Sequence, residues 1–145
     1  MQCANCKHNK CYTSGQNCTR LTVDQVVEQY QGLDGRIMQA AGRVEARNYM
    51  QMTRLEESVE FARQMDVKTV GLAFCIGFTQ EARLISAYFE KFFKVHSVCC
   101  KVCSVGKEEL GLEQIKPGTH EAMCNPKIQA AILADNGTEL NFTIG

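Results

Sequence analysis

The sequence predicts an α/β fold: three layers, a mostly parallel sheet flanked by helices, preceded by a short cysteine-rich segment. Three observations carry this expectation. The hydrophobic period is helical up to about residue 65 and then alternates between strand-like and helical. The resulting order of strand, helix, strand, helix, strand calls for right-handed crossovers and a parallel sheet. Four of the nine cysteines lie at Cys3, Cys6, Cys11 and Cys18, and the next is Cys75.

The segment over residues 1–20 is polar, rich in Asn, Lys and Gly, and has almost no large hydrophobic residue. It cannot build an apolar core. Residues 21–145 form the expected α/β domain. Thr22 with Gln25 reads as a capping-box helix start, followed by an apolar face of Val23, Val26, Val27 and Tyr30. Gly32 and Gly35 interrupt that face. Residues 36–48 form a second helix with Ile37, Ala40, Ala41 and Val44 on one side. Thr53 with Glu56 opens a third, carrying Leu55, Val59, Ala62 and Met65. Residues 67–75 read as a buried strand, and Gly77 and Thr79 mark the turn after it. A helix over 80–93 follows, carrying Ala82, Ile85, Phe89 and Phe92, with Tyr88, Phe89, Phe92 and Phe93 read as core and its margin. Residues 95–100 form the next strand. After a glycine-containing stretch over 104–118, Asn125-Pro126 opens a helix with Ile128, Ala131 and Ile132 as its apolar positions. Asn136-Gly137 closes it, and residues 139–144 make the last strand.

The 145 residues suit one compact domain, and 45% hydrophobic content excludes bulk disorder. Sixteen basic and sixteen acidic residues balance, which favours neither nucleic acid nor an anionic membrane surface as partner. No apolar run approaches the ~20 residues of a membrane span. The N-terminus has neither the basic nor the apolar part of a signal peptide, so a cytoplasmic location is expected. In that reducing compartment cysteines serve metal binding or chemistry more often than structural disulfides.

The spacing C-x2-C-x4-C-x6-C places Cys3, Cys6, Cys11 and Cys18 as four thiolates for one metal centre. Zinc is the first expectation and an iron–sulfur cluster the alternative. His8 could replace one ligand. The other cysteines depend on the fold, because the carboxyl ends of parallel strands line the ligand crevice. Cys75 ends one strand, Cys99 and Cys100 end another, Cys103 lies just beyond, and Cys124 precedes a helix. Cys99 and Cys100 should point to opposite faces. Cys100, Cys103 and Cys124 are therefore candidate catalytic thiols. With Cys75, Cys100, Cys103 and Cys124 also form a candidate second metal site. The turn containing Cys75, Gly77 and Thr79 is a candidate cofactor-binding turn at a helix N-terminus, although no nucleotide fingerprint is present. His96 reads as a packed strand residue, His120 as a ligand or proton-transfer candidate, and Arg54 with Glu57 as a surface pair.

Several motifs support a resemblance. Residues 52–57 (MTRLEE), 71–77 (GLAFCIG), 97–103 (SVCCKVC) and 124–130 (CNPKIQA), with the N-terminal cysteines, resemble the prokaryotic family grouped as domain of unknown function 1847, described as metal-binding. The resemblance spans nearly the whole chain and implies metal binding without naming a reaction. It also implies that the family continues beyond Gly145 with a glycine–cysteine–histidine turn, and that Cys103 is less constant than Cys100. Three functions are therefore open: a metal-binding protein with a ligand or redox partner at the crevice, a thiol-dependent redox enzyme or electron-transfer protein, or a regulatory or interaction module with structural zinc.

Overall fold

The computed structural model describes residues 1–145 and divides the chain into two compact units, Met1–Gln39 and Ala40–Gly145. The first unit holds a 3-10 turn at Cys3–Asn5, helices α1 (Lys10–Thr13) and α2 (Val23–Glu28), and the start of α3 (Gly32–Asn48). Thr22 caps α2 as expected: its hydroxyl accepts from the Gln25 amide, and the Gln25 side chain accepts from the Thr22 amide. Asn17 organises the loop before it, donating to the Leu21 carbonyl at 2.7 Å and accepting from the Thr19 amide at 2.8 Å. No residue of this unit is buried. The expected apolar face of Val23, Val26, Val27 and Tyr30 is exposed instead of covering a core.

The second unit contains the rest of α3, then α4 (Arg54–Gln64), β1 (Thr69–Phe74), α5 (Thr79–Phe89), β2 (Lys94–Cys99), α6 (Pro126–Asp135) and β3 (Leu140–Ile144). The capping box of Thr53 and Glu56 opens α4. The three strands are parallel in the order β2-β1-β3. Helix α5 ends four residues earlier than the sequence predicts. The chain turns at its end because the Phe92 and Phe93 amides both donate to the Phe89 carbonyl, at 2.9 and 3.0 Å. That turn brings Phe93 against the core and delivers the chain to β2.

The two faces of the sheet differ. Val70 and Leu72 of β1 pack against Val59 and Ala62 of α4 and Phe89 of α5, with Val95, Leu140 and Phe142 alongside. The intervening Gly71 points the opposite way. Its position lies under α6, where an added Cβ would sit 3.0 Å from both Leu133 methyls and would collide with the Asn141 side chain. Helices therefore cover both faces and make three layers. Gly71→Ala should accordingly destabilise the protein by about 1–3 kcal/mol through overpacking. A lowered urea midpoint with an unchanged slope would report it.

Helix α6 departs from expectation. Its buried residues are Gln129 and Leu133, whereas Ile128 and Ala131 are exposed and Ile132 is half-buried. The choice of stripe follows from a polar contact. The Gln129 amide donates to the carbonyls of Val98, at 2.8 Å, and Phe74, at 3.2 Å, at the ends of β2 and β1. Turning Ile128 inward would remove that bond and lift Leu133 off Gly71.

Candidate functional site

The strand order places β1 in the centre: the crossover from β1 runs to β2, and the one from β2 passes back over β1 to β3, in the opposite direction. The crevice beside its carboxyl end is a topological switch point, the usual ligand position in open α/β sheets. Cys75 follows β1 directly. Its amide donates to the Ile144 carbonyl at 2.8 Å, and a Cβ built on Gly145 would lie 3.4 Å from the Cys75 Cβ. Residues 76–78 form a 3-10 turn leading into α5, and the Thr79 hydroxyl donates back to the Ile76 carbonyl at 2.7 Å. Two amides of this turn are already engaged: Phe78 donates to the Cys75 carbonyl and Ile76 to the Cys100 sulfur. The cradle offered by Cys75, Gly77 and Thr79 is thus narrower than its sequence suggests.

On the other side of β1 the chain ends of β2 and the start of α6 meet. The Cys100 amide donates to the Phe74 carbonyl at 2.8 Å, and the Cys100 carbonyl accepts from the Asn125 amide at 2.8 Å. These bonds bring Cys124 to Cys100. The Lys101 ammonium donates to the Cys124 sulfur at 3.6 Å and to the Ala122 carbonyl at 2.7 Å. Cys100 is 7% exposed, and the Ile76 amide donates to its sulfur at 3.4 Å. Burial pushes the Cys100 thiol up, with the Cys124 and Cys99 sulfurs adding to the rise and the Ile76 amide opposing it. Cys124 is exposed. The Cys99 sulfur accepts from the Lys101 amide at 3.4 Å. Cys103 is also exposed and has a left-handed backbone with φ of 69°. It lies in a tight turn closed by the Ser104 amide on the Lys101 carbonyl.

The N-terminal cysteines are all exposed. Cys3 and Cys6 are the two ends of one turn, in which the Cys6 amide donates to the Cys3 carbonyl at 3.0 Å. The backbone amides of His8 and, more weakly, Asn9 hydrogen-bond the Cys6 sulfur and lower its pKa from the ordinary thiol value. Cys11 lies in α1 and Cys18 in the loop after it. No three side chains of His, Cys, Asp and Glu, at either cysteine cluster or elsewhere, stand together as a ready metal-binding group.

Of the histidines, His120 meets Ser104, Nε2 to Oγ at 3.1 Å, and His96 keeps a buried Nε2 with no hydrogen-bond partner. Arg54 and Glu57 pair at 2.6 Å. Three side chains beside the site have no signal in periodicity, although Lys101 and Gln129 lie within the motifs at 97–103 and 124–130. Lys101 lies between thiols in a short loop. Gln129 is a polar residue inside the stripe that faces the sheet. Glu121 closes the long connection before α6: its carboxylate accepts from Lys107 at 2.7 Å and from the amides of Ile115 and Lys116. Its Lys107 partner, followed by those two amides, holds the Glu121 carboxyl at about 2. Only the lysine spacing Cys100-Lys101, a cation next to a thiol, could have drawn attention beforehand.

The Glu121 latch has a definite pH dependence. Its pKa is depressed from 4.5 to about 2 on folding, so its stabilisation is complete above about 4.5 and is lost as pH falls through about 2. Glu121→Gln should expose the Ile115 and Lys116 amides to hydrogen exchange near neutral pH. Exchange at those amides should then lose the acid dependence expected of the unaltered protein. Unchanged protection in the variant would show that Glu121 does not hold this loop.

Comparison with known proteins gives two findings. Residues 13–145 match the family described as "Protein of unknown function (DUF1847)". That span includes Cys18 and all the strand-end cysteines and begins after Cys11. The whole chain is 41% identical, over 146 aligned residues, to an uncharacterized protein of Methanocaldococcus jannaschii, covering 75% of that relative's length. No solved structure matches significantly.

Proposed function

The chain belongs to the DUF1847 family, whose description assigns no activity, and from that premise we propose that it is a metal-binding protein with one centre in its first 18 residues. Cys3, Cys6, Cys11 and Cys18 are the ligands, and zinc is the metal. The observation that carries this reading is the turn closed by the Cys6 amide on the Cys3 carbonyl at 3.0 Å, which sets the C-x2-C pair at its two ends, and the backbone of His8 and Asn9 beside it lowers the pKa of Cys6. Amides aimed at a sulfur favour thiolate, the form that binds metal.

Two further facts support it. The unit containing these cysteines buries no residue, so hydrophobic packing does not supply its cohesion. In such segments, gathering the ligands and binding the ion are one event, driven by the metal. The donor set is four thiolates, which suits tetrahedral zinc. All four sulfurs are exposed, whereas an iron–sulfur cluster gains from shielding. When bound, the ion supplies a cross-link. The cysteine-lined crevice of the second unit is then the place where a small ligand or redox partner would act.

The test is elemental analysis and acid-labile sulfide on protein purified without oxygen. About one zinc per chain without sulfide is the expected result. Iron with stoichiometric sulfide would overturn the zinc assignment, and no bound metal would overturn the centre itself. No helix is long and apolar enough to cross a membrane, so membrane insertion through a helix is no part of this reading.

A further inference from the structure

We propose that Cys124 and Cys100 form a dithiol that reduces small disulfides, with Cys124 as the attacking thiol, Cys100 as the resolving thiol, and Lys101 positioning the attacking sulfur. The pair is assembled by the end of β2 and the start of α6, and it uses none of the N-terminal cysteines.

Access separates the two roles. Cys124 is exposed, so a disulfide in solution can reach its sulfur. Cys100 is 7% exposed and reaches solvent poorly. The backbone holds the two residues together, because the Cys100 carbonyl accepts the amide of Asn125, the neighbour of Cys124. Lys101 spans the same gap, its ammonium 3.6 Å from the Cys124 sulfur and anchored on the Ala122 carbonyl. A cation at that position steadies the sulfur anion that attacks. The second anchored donor is the Ile76 amide, 3.4 Å from the Cys100 sulfur, which can receive the charge when Cys100 loses its proton. Burial keeps Cys100 protonated before that moment. The Cys99 sulfur accepts the Lys101 amide at 3.4 Å, and Cys99 is given no step in the exchange.

The chemistry balances as thiol–disulfide exchange. The Cys124 thiolate attacks one sulfur of the small disulfide, whose S–S bond breaks. One small thiolate leaves and takes up the proton given up by Cys124. The Cys100 sulfur, deprotonated, then attacks the Cys124 sulfur. The mixed disulfide breaks, and the second small thiolate leaves with the proton from Cys100. The protein pair is oxidised by two electrons and the small disulfide is reduced to two thiols.

The experiment uses the full chain, purified without oxygen and treated with glutathione disulfide, with cysteine pairing mapped by peptide mass spectrometry. In the unaltered protein a Cys100–Cys124 disulfide should form and two glutathione molecules should be released. Cys100→Ser should stop at glutathione on Cys124. Cys124→Ser should leave Cys100 unmodified. Lys101→Met should slow the capture several-fold while the circular dichroism spectrum is unchanged. A Cys103–Cys124 disulfide, glutathione on Cys100 in the Cys124→Ser protein, or no Cys100–Cys124 disulfide in the unaltered chain would each overturn the assignment. The unaltered chain alone decides the central point, so an unfolded variant would not shield the proposal.

Discussion

Phe89→Ala should cost about 3–5 kcal/mol of stability, the range for truncating a fully buried phenylalanine. Phe89 is 1% exposed and closes α5 against the sheet. Its ring lies 4.9 Å, centroid to centroid, from Phe142 of β3 and 6.5 Å from Phe93 at the entry to β2. It thus joins the helix to both edge strands of a sheet whose centre is Leu72, itself fully buried. Alanine would remove the ring and leave a cavity bounded by α4, β1 and β3, which cannot collapse without moving Val59 and Ala62 of α4. Domains of this size are held by roughly 5–15 kcal/mol, so the variant should retain only part of its stability. Urea unfolding is the measurement: the midpoint should fall steeply with little change in slope. A loss below ~2 kcal/mol would mean that the aromatic cluster is not the centre of the core.

The elements that formed where the sequence implied are those with a single strong local signal. Thr22 and Thr53 cap their helices because a hydroxyl at the N-cap and a Glu or Gln three residues on act on neighbouring amides, independently of tertiary structure. The three strands were legible because their apolar runs are short and lie between turn residues. What remained hidden depends on long-range contacts. Strand order follows from crossover direction, which no local pattern encodes. The buried stripe of α6 could not be read from hydrophobicity because Gln129, a polar residue, faces the sheet to bond two strand-end carbonyls. Val23, Val26, Val27 and Tyr30 have helical spacing yet remain exposed, so amphipathic spacing there does not report burial. At the site, topology brings Cys100 and Cys124 together across 24 sequence positions, and the contact of the Lys101 ammonium with the Cys124 sulfur depends on the same long-range meeting.

Cys6→Ser should take the metal content from about one ion per chain to a small fraction of that, the largest effect expected on the proposed centre. The thiolate form of Cys6 is favoured by the backbone of His8 and Asn9. A serine hydroxyl in the same turn would receive those amides but would not ionise near neutral pH, so the ion would lose a charged donor. The same reasoning predicts the pH behaviour. Protons compete with metal for thiolates, so affinity should decline as pH falls. The lowered pKa of Cys6 delays that competition to lower pH than an ordinary thiol would. Two comparisons isolate the effect. Cys103→Ser removes an exposed cysteine in the other unit and should leave the metal content intact. His8→Ala keeps the amide that Cys6 uses while removing the imidazole, so it should retain the metal if four thiolates are the ligands. Elemental analysis of the three variants beside the unaltered chain is sufficient. Full metal content in Cys6→Ser would rule out Cys6 as a required ligand, and loss in His8→Ala would replace one thiolate with the imidazole. The core around Phe89 contains no residue before Ala40, so metal loss in Cys6→Ser should leave the urea midpoint of the second unit where it was.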